Sequence, residues 1–176
     1  MVSNTKAVFL DRDGVLNIPT IIKNKSYAPT KVKDFRLYPN VAKFCKMLKK
    51  KKFLLIVITN QPDYKKKKIS INILHQMHER LKKKIKFDDI YISLSSNSKN
   101  FFKKPNPGML LEAKKKYNIS FKKSYLIGDR FSDIEVARNV GCKAIFIDRK
   151  YDELKPSYQI KNTKSFEEAA KFILLR

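Results

Sequence analysis

Residues 7–17 read AVFLDRDGVLN, and this stretch decides the fold. Ala7 to Leu10 form a short apolar run of the kind that builds a buried strand. The run stops abruptly at Asp11, Arg12, Asp13 and Gly14. A strand needs no carboxylates at its end, so these two mark a polar site where the strand stops. If the chain stays extended there, side chains alternate: Asp11 and Asp13 point one way and Arg12 the other.

The same punctuation recurs downstream. Phe53–Ile58 is a continuous apolar run ending in Thr59-Asn60-Gln61. Asp89–Leu94 reads as a third strand, and the segment after it carries Lys103-Lys104-Pro105. Ser124–Ile127 ends in Gly128-Asp129-Arg130, with Asp133 soon after, and Lys143–Ile147 reads as a fifth strand. Helical patterns fill the gaps. Asn40 reads as the N-cap of a helix to about Lys51 that buries Val41, Phe44 and Leu48. Ser70 to about Lys86 repeats Ile71, Leu74, Met77, Leu81 and Ile85 at helical spacing. Pro107–Tyr117 and Ser132–Val140 are helices, the second stopped by Gly141. Ser165 and Glu168 form a capping box for a last helix to about Leu175.

This alternation predicts an α/β fold: a single Rossmann-like domain over residues 1–176, with a central parallel sheet and helices on both faces. Val15–Tyr38 and Ser95–Asn106 are too long for plain connections and read as lids or binding loops.

Composition narrows the class. A chain of 176 residues that is 43% hydrophobic can bury one core and is not disordered. No apolar run approaches the ~20 residues of a bilayer span, and charges interrupt MVSNTKAVFLDRDG too soon for a signal peptide. The expectation is a cytoplasmic protein without membrane insertion, its cysteines Cys45 and Cys142 reduced and unpaired. Lys+Arg 40 against Asp+Glu 16 gives +24, a field that attracts anions, nucleic acid among them. The lysine runs are scattered over several helices, which favours solvated faces over one nucleic-acid stripe.

In a doubly wound sheet, ligands bind outside the carboxyl ends of the strands. Asp11, Asp13, Thr59, Lys104, Asp129 and Asp133 would then share one mouth. Clustered carboxylates repel one another unless a cation joins them, and oxygen-only ligands suit Mg²⁺. One aspartate can attack phosphorus while a neighbouring carboxyl moves the proton. A threonine hydroxyl and a lysine ammonium can hold the phosphoryl oxygens. The constellation points to phosphoryl transfer.

The stretches DRDGVLN, TNQ, KPNPGML and IGDRFSD, in that order, resemble the haloacid dehalogenase-like phosphatases. They are most similar to the small group without a large cap domain that includes heptose 1,7-bisphosphate phosphatases and the histidinol-phosphate phosphatase domain. The resemblance covers roughly residues 5–150. It implies that Asp11 is the nucleophile and a Mg²⁺ ligand. Asp13 is implied to be the general acid/base, giving the metal only its backbone carbonyl. Asp129 is implied to bind Mg²⁺, with Asp133 supporting it. Thr59 would bind the transferring phosphoryl group and Lys104 would neutralise it together with Asp11. Asn17, Asn60, Lys103 and Arg130 would bind phosphate or substrate.

The implied partner is a small phosphorylated metabolite, foremost a sugar phosphate such as D-glycero-D-manno-heptose 1,7-bisphosphate, handled by a monomer. Histidinol phosphate and the terminal phosphate of a nucleic acid are the alternatives. A non-catalytic anion-binding protein comes third, because charged groups are costly to keep in a cleft without use.

Related phosphatases carry a zinc loop before the motif lysine. Here Ser93–Pro105, SLSSNSKNFFKKP, holds no cysteine or histidine, so no structural zinc is expected. Phe101 and Phe102 would anchor that loop by apolar packing instead. Lys65–Lys68 either contact a second phosphate or form a solvated turn. His75 and His78 read as surface or packing residues, away from the strand ends.

Overall fold

The computed structural model describes residues 5–176. The reading of the N-terminal start as no signal peptide falls partly on residues 1–4, outside the described residues. The core sheet has six strands in the order β5–β4–β1–β6–β7–β8. These are β1 (Ala7–Leu10), β4 (Leu54–Asn60), β5 (Asp89–Ser93), β6 (Tyr125–Gly128), β7 (Lys143–Ile147) and β8 (Lys161–Thr163). Every pairing among them is parallel. A separate antiparallel hairpin, β2 (Thr20–Ile22) with β3 (Lys25–Tyr27), lies in the long segment after β1.

Strand alternation divides the apolar residues between two cores. Val8, Leu10, Leu55, Val57, Ile127, Ile145 and Ile147 face one layer. It is closed by α1 (Val41–Lys50), α2 (Ile71–Lys84) and α5 (Phe166–Leu174). Ala7, Phe9, Ile56, Ile58, Leu126, Ala144 and Phe146 face the other. That layer is closed by α3 (Gly108–Tyr117) and α4 (Phe131–Val140). Strands buried on both faces must be apolar throughout, which is why β1 and β6 read as unbroken runs.

Helix ends follow local chemistry. The Ser70 hydroxyl accepts from Ile73 N at 3.3 Å, and Ser165 accepts from Glu168 N at 3.1 Å. Gly141 closes α4 at φ +71°. Asn40 departs from the expected cap: its backbone is left-handed at φ +62°, its side chain caps nothing in α1, and its amide donates to Glu167 instead. Pro107 sits at the N-cap position of α3, one residue ahead of the first turn.

Two elements were not expected from sequence. β8 is three polar residues at the sheet edge, and the β2–β3 hairpin turns through Lys23 and Asn24, both at positive φ. No helix among the described residues is long and apolar enough to cross a membrane.

The chain runs outward from β1 through β4 to β5, then returns to β6 on β1's other side. The strand order therefore reverses between β1 and β6. That reversal opens a crevice at their carboxyl ends, where ligands of doubly wound sheets bind.

Candidate active site

Asp11 and Asp129 flank this reversal. Leu10 is in register with Ile127, and Asp11 N extends the ladder by donating to Ile127 O at 3.1 Å. The two strand ends thus deliver one carboxylate each to the crevice. Oxygens of Asp11, Asp129 and Asp133 lie within 4.8 Å of one another, all buried. Glycine makes this approach possible. At Gly14, φ is +91° and a Cβ would fall 1.7 Å from Asp129 Oδ2; at Gly128 a Cβ would fall 2.1 Å from Asp133 Cβ.

Lys104 reaches this cluster from the loop after β5. Its ammonium donates at 2.6 Å to both Asp11 Oδ1 and Asp133 Oδ1, and at 2.9 Å to Ile58 O. Asn60 fixes the lysine's backbone by a reciprocal pair, Asn60 Nδ2 to Lys104 O and Lys104 N to Asn60 Oδ1, each 3.1 Å. Asp133 Oδ2 accepts from Arg130 N at 3.1 Å, so the start of α4 holds this carboxylate.

Burial raises the Asp11 carboxyl to about 6, with Lys104 opposing and Asp133 adding to the rise. Burial also raises Asp129 well above the ordinary range, reinforced by Asp11 and Asp133. Burial alone would discharge Lys104, but Asp11 and Asp133 hold its ammonium above the ordinary lysine value. Neither Asp129 oxygen makes a hydrogen bond of good geometry among the described residues, although the Tyr151 hydroxyl lies near enough to favour the charged carboxylate. A buried, poorly partnered carboxylate beside two others is unfavourable alone and well suited to a hard divalent cation. Asp11, Asp129 and Asp133 are the side chains that could hold Mg²⁺.

Asp13 and Thr59 line a cavity of about 250 Å³ together with Asp11, Lys104 and Asp133, whereas Asp129 is not part of its wall. Gln61 Nε2 donates to Asp13 Oδ2 at 2.7 Å and to Thr59 Oγ1 at 2.8 Å. Because the threonine oxygen accepts from Gln61, its own proton is left to donate into the cavity.

Several expectations need correcting. Arg12 does not face away from Asp13: it is fully buried, and its guanidinium donates to both Asp13 oxygens at 2.9–3.1 Å. The strand ends at Leu10, so alternation no longer governs Arg12. Asn17 is sealed from the cavity and donates to Asp13 Oδ1 at 2.9 Å; it holds Asp13 instead of substrate. Lys103 donates to Ser96 O at 2.7 Å within its own loop and does not line the cavity. Phe101 and Phe102 stack edge to face but remain half exposed, so they do not bury the loop. His78 is buried against Arg12, next to the site.

Arg130 and Asn60 line the cavity. Arg130 also pairs with Glu153 at 2.8 Å and donates to Ser26 O at 2.7 Å, tying the hairpin over the mouth. Lys66 and Lys68 from the basic run, and Lys25 from the hairpin, line the rim. Gln61 is the polar residue whose role the sequence signalled without its being assigned: it completes the TNQ triplet.

A family model of polynucleotide kinase 3 phosphatases matches residues 9–165. The chain belongs to this family. It is a haloacid dehalogenase-like phosphatase, as its four motifs suggest. This phosphatase is 34% identical over 140 residues to D-glycero-alpha-D-manno-heptose-1,7-bisphosphate 7-phosphatase of Campylobacter jejuni, covering 77% of each chain. It is 28% identical over 179 residues to the histidine biosynthesis bifunctional protein HisB of Bacteroides fragilis, spanning 96% of this chain and 47% of that one. Its fold matches that of a D,D-heptose 1.7-bisphosphate phosphatase from B. bronchiseptica, solved with magnesium and phosphate. The TM-score is 0.83 at 19% identity, over 97% of this chain and 99% of the other.

Proposed function

We propose that this phosphatase hydrolyses a sugar phosphomonoester, removing the 7-phosphate of heptose 1,7-bisphosphate through an aspartyl-phosphate on Asp11, with Mg²⁺ held by Asp11, Asp129 and Asp133. The whole chain, residues 1–176, acts as one catalytic domain. The observation that carries this reading is the Lys104–Asp11 contact at the cavity floor, beside the poorly partnered Asp129 carboxylate.

Among the described residues, Asp11 Oδ2 accepts no hydrogen bond, so it is the oxygen left to attack. Attack forms the Asp11 O–P bond and breaks the P–O bond to the sugar, whose oxygen takes the proton of the Asp13 carboxyl. Asp13 then takes a proton from a water whose oxygen attacks phosphorus, releasing phosphate and restoring Asp11. Thr59 and the Lys104 ammonium hold phosphoryl oxygens through both steps. Bound Mg²⁺ supplies charge neutralisation for the phosphoryl group and its nucleophile. Asn60 contributes by fixing Lys104, and Arg130 by shaping the mouth.

A second reading, the terminal phosphate of a nucleic acid, is favoured by the rim lysines Lys25, Lys66 and Lys68 and by the net charge of +24. Phosphate release with Mg²⁺ should be measured from heptose 1,7-bisphosphate, histidinol phosphate and 3′-phosphorylated oligonucleotides. The reading predicts that the heptose bisphosphate has the highest kcat/KM, and that Asp11→Asn, folded, has no turnover. A higher kcat/KM on the oligonucleotide would replace the first substrate by the second.

A further inference from the structure

Arg12 and His78 are buried polar groups that the hydrolysis above does not use. Arg12 has no exposed surface, and among the described residues its charge is met by Asp13 alone. Its guanidinium Nε and Nη2 grip Asp13, while Nη1 lies 3.1 Å from His78 Nε2. The Phe35 ring lies alongside, 5.6 Å from the guanidinium carbon. Arginine nitrogens can only donate, so His78 Nε2 accepts and its ring carries its proton on Nδ1. Burial, reinforced by Arg12, pushes the imidazole down to about 3, which keeps the acceptor lone pair available. His78 sits in α2 among Leu74, Met77 and Leu81, which pack into the core.

A chain of contacts therefore runs from a rigid helix to a group inside the cavity. We infer that His78 is a positioning residue: through Arg12 it fixes the orientation of the Asp13 carboxyl, and so the efficiency of proton delivery to the leaving oxygen. Asn17 and Gln61 hold Asp13 from its other sides. They cannot replace Arg12, which alone contacts both carboxyl oxygens. Without the His78 acceptor, a buried guanidinium N–H loses its partner, and the fork can swing away from Asp13.

The inference rests on the assignment of Asp13 as general acid, so the experiment includes that residue. Proton delivery matters for an alkoxide leaving group and little for a phenolate. kcat/KM, which reports the steps up to departure of the leaving group and not the shared hydrolysis of the aspartyl-phosphate, is measured with Mg²⁺ on glycerol 2-phosphate and on p-nitrophenyl phosphate, and the ratio of the two is the readout. His78→Leu is expected to lower the alkyl-to-aryl ratio about tenfold, a fraction of the full general-acid effect. His78→Gln, which keeps an acceptor, should restore most of it, and Asp13→Asn should lower the ratio at least as far as His78→Leu. If melting curves show that His78→Leu does not fold, His78→Asn serves in its place, since its shorter side chain does not reach Arg12. Equal losses on both substrates, or no loss, alongside a lowered ratio in Asp13→Asn, would overturn the role of His78 alone. An unchanged ratio in Asp13→Asn would overturn the assignment of Asp13 and this inference with it.

Discussion

The Lys104 ammonium sits 2.6 Å from Asp11 Oδ1, and both side chains are almost sealed from water. A pair so placed cannot lose one member without leaving the other charge uncompensated. Lys104→Met should therefore destabilise the metal-free protein by about 3–5 kcal/mol. It should also lower kcat by roughly 10²–10³-fold, the scale for removing one preorganised electrostatic group. Urea unfolding in EDTA and steady-state turnover check the two effects. Full activity in this variant would mean that the lysine serves only to fold the loop.

The raised carboxyls make a prediction about pH. Asp11 titrates near 6 in the folded chain against an ordinary 3.8, and Asp129 is raised in the same direction. The folded state thus binds these protons more tightly than the unfolded state. Their contribution to stability is complete below about 3.8 and is lost as pH rises through the folded values. Partly buried carboxylates held low by lysines, such as Asp148, act oppositely, so the comparison must be with a variant. In EDTA, the melting temperature of Asp129→Asn relative to the unsubstituted protein should climb as pH rises above the ordinary carboxylate value of 3.8. Mg²⁺ should stabilise the unsubstituted protein near neutral pH and have little effect on Asp129→Asn. A difference that stays flat with pH would show that Asp129 does not carry the strain assigned to it.

The basic run at 65–68 is divided by its geometry. Lys66 lines the cavity, whereas Lys65 faces a shallow groove behind it. If the substrate carries a second phosphate, Lys66→Ala should raise KM for the bisphosphate several-fold and leave KM for the matching monophosphate unchanged. Lys65→Ala should change neither, because exposed lysines far from the ligand are screened. Equal effects of the two substitutions would return the run to a solvated turn.

Legibility in the sequence followed burial. Asp11, Thr59 and Asp129 could be found because each ends an apolar strand buried on both faces, where a polar residue stands out. Lys104 could be found because a proline follows it in a recognisable motif. The β2–β3 hairpin and β8 could not: each strand has three residues, too few for a period, and the hairpin turns through Lys-Asn without a glycine. Asn17 and Lys103 were misplaced for a related reason. Sequence puts a residue near a site, but the backbone after the strand decides whether it faces the cavity or the protein. Past Leu10 the chain folds back, with Leu16 N and Asn17 N both donating to Arg12 O, and this turn sends Arg12 and Asn17 onto Asp13. No alternation rule applies to such a turn.

Attack by Asp11 on phosphorus would pass through a covalent aspartyl-phosphate. Asp13→Asn should slow the second step enough for the covalent species to accumulate. The variant would be mixed with p-nitrophenyl phosphate, whose leaving group departs without an acid, and Mg²⁺, quenched in acid and digested, and its peptides weighed. A phosphoryl group is expected on the peptide containing Asp11, and none when Asp11→Asn is added to the same variant. Steady turnover with no phosphorylated peptide, or a phosphoryl group on any other residue, would contradict attack by Asp11.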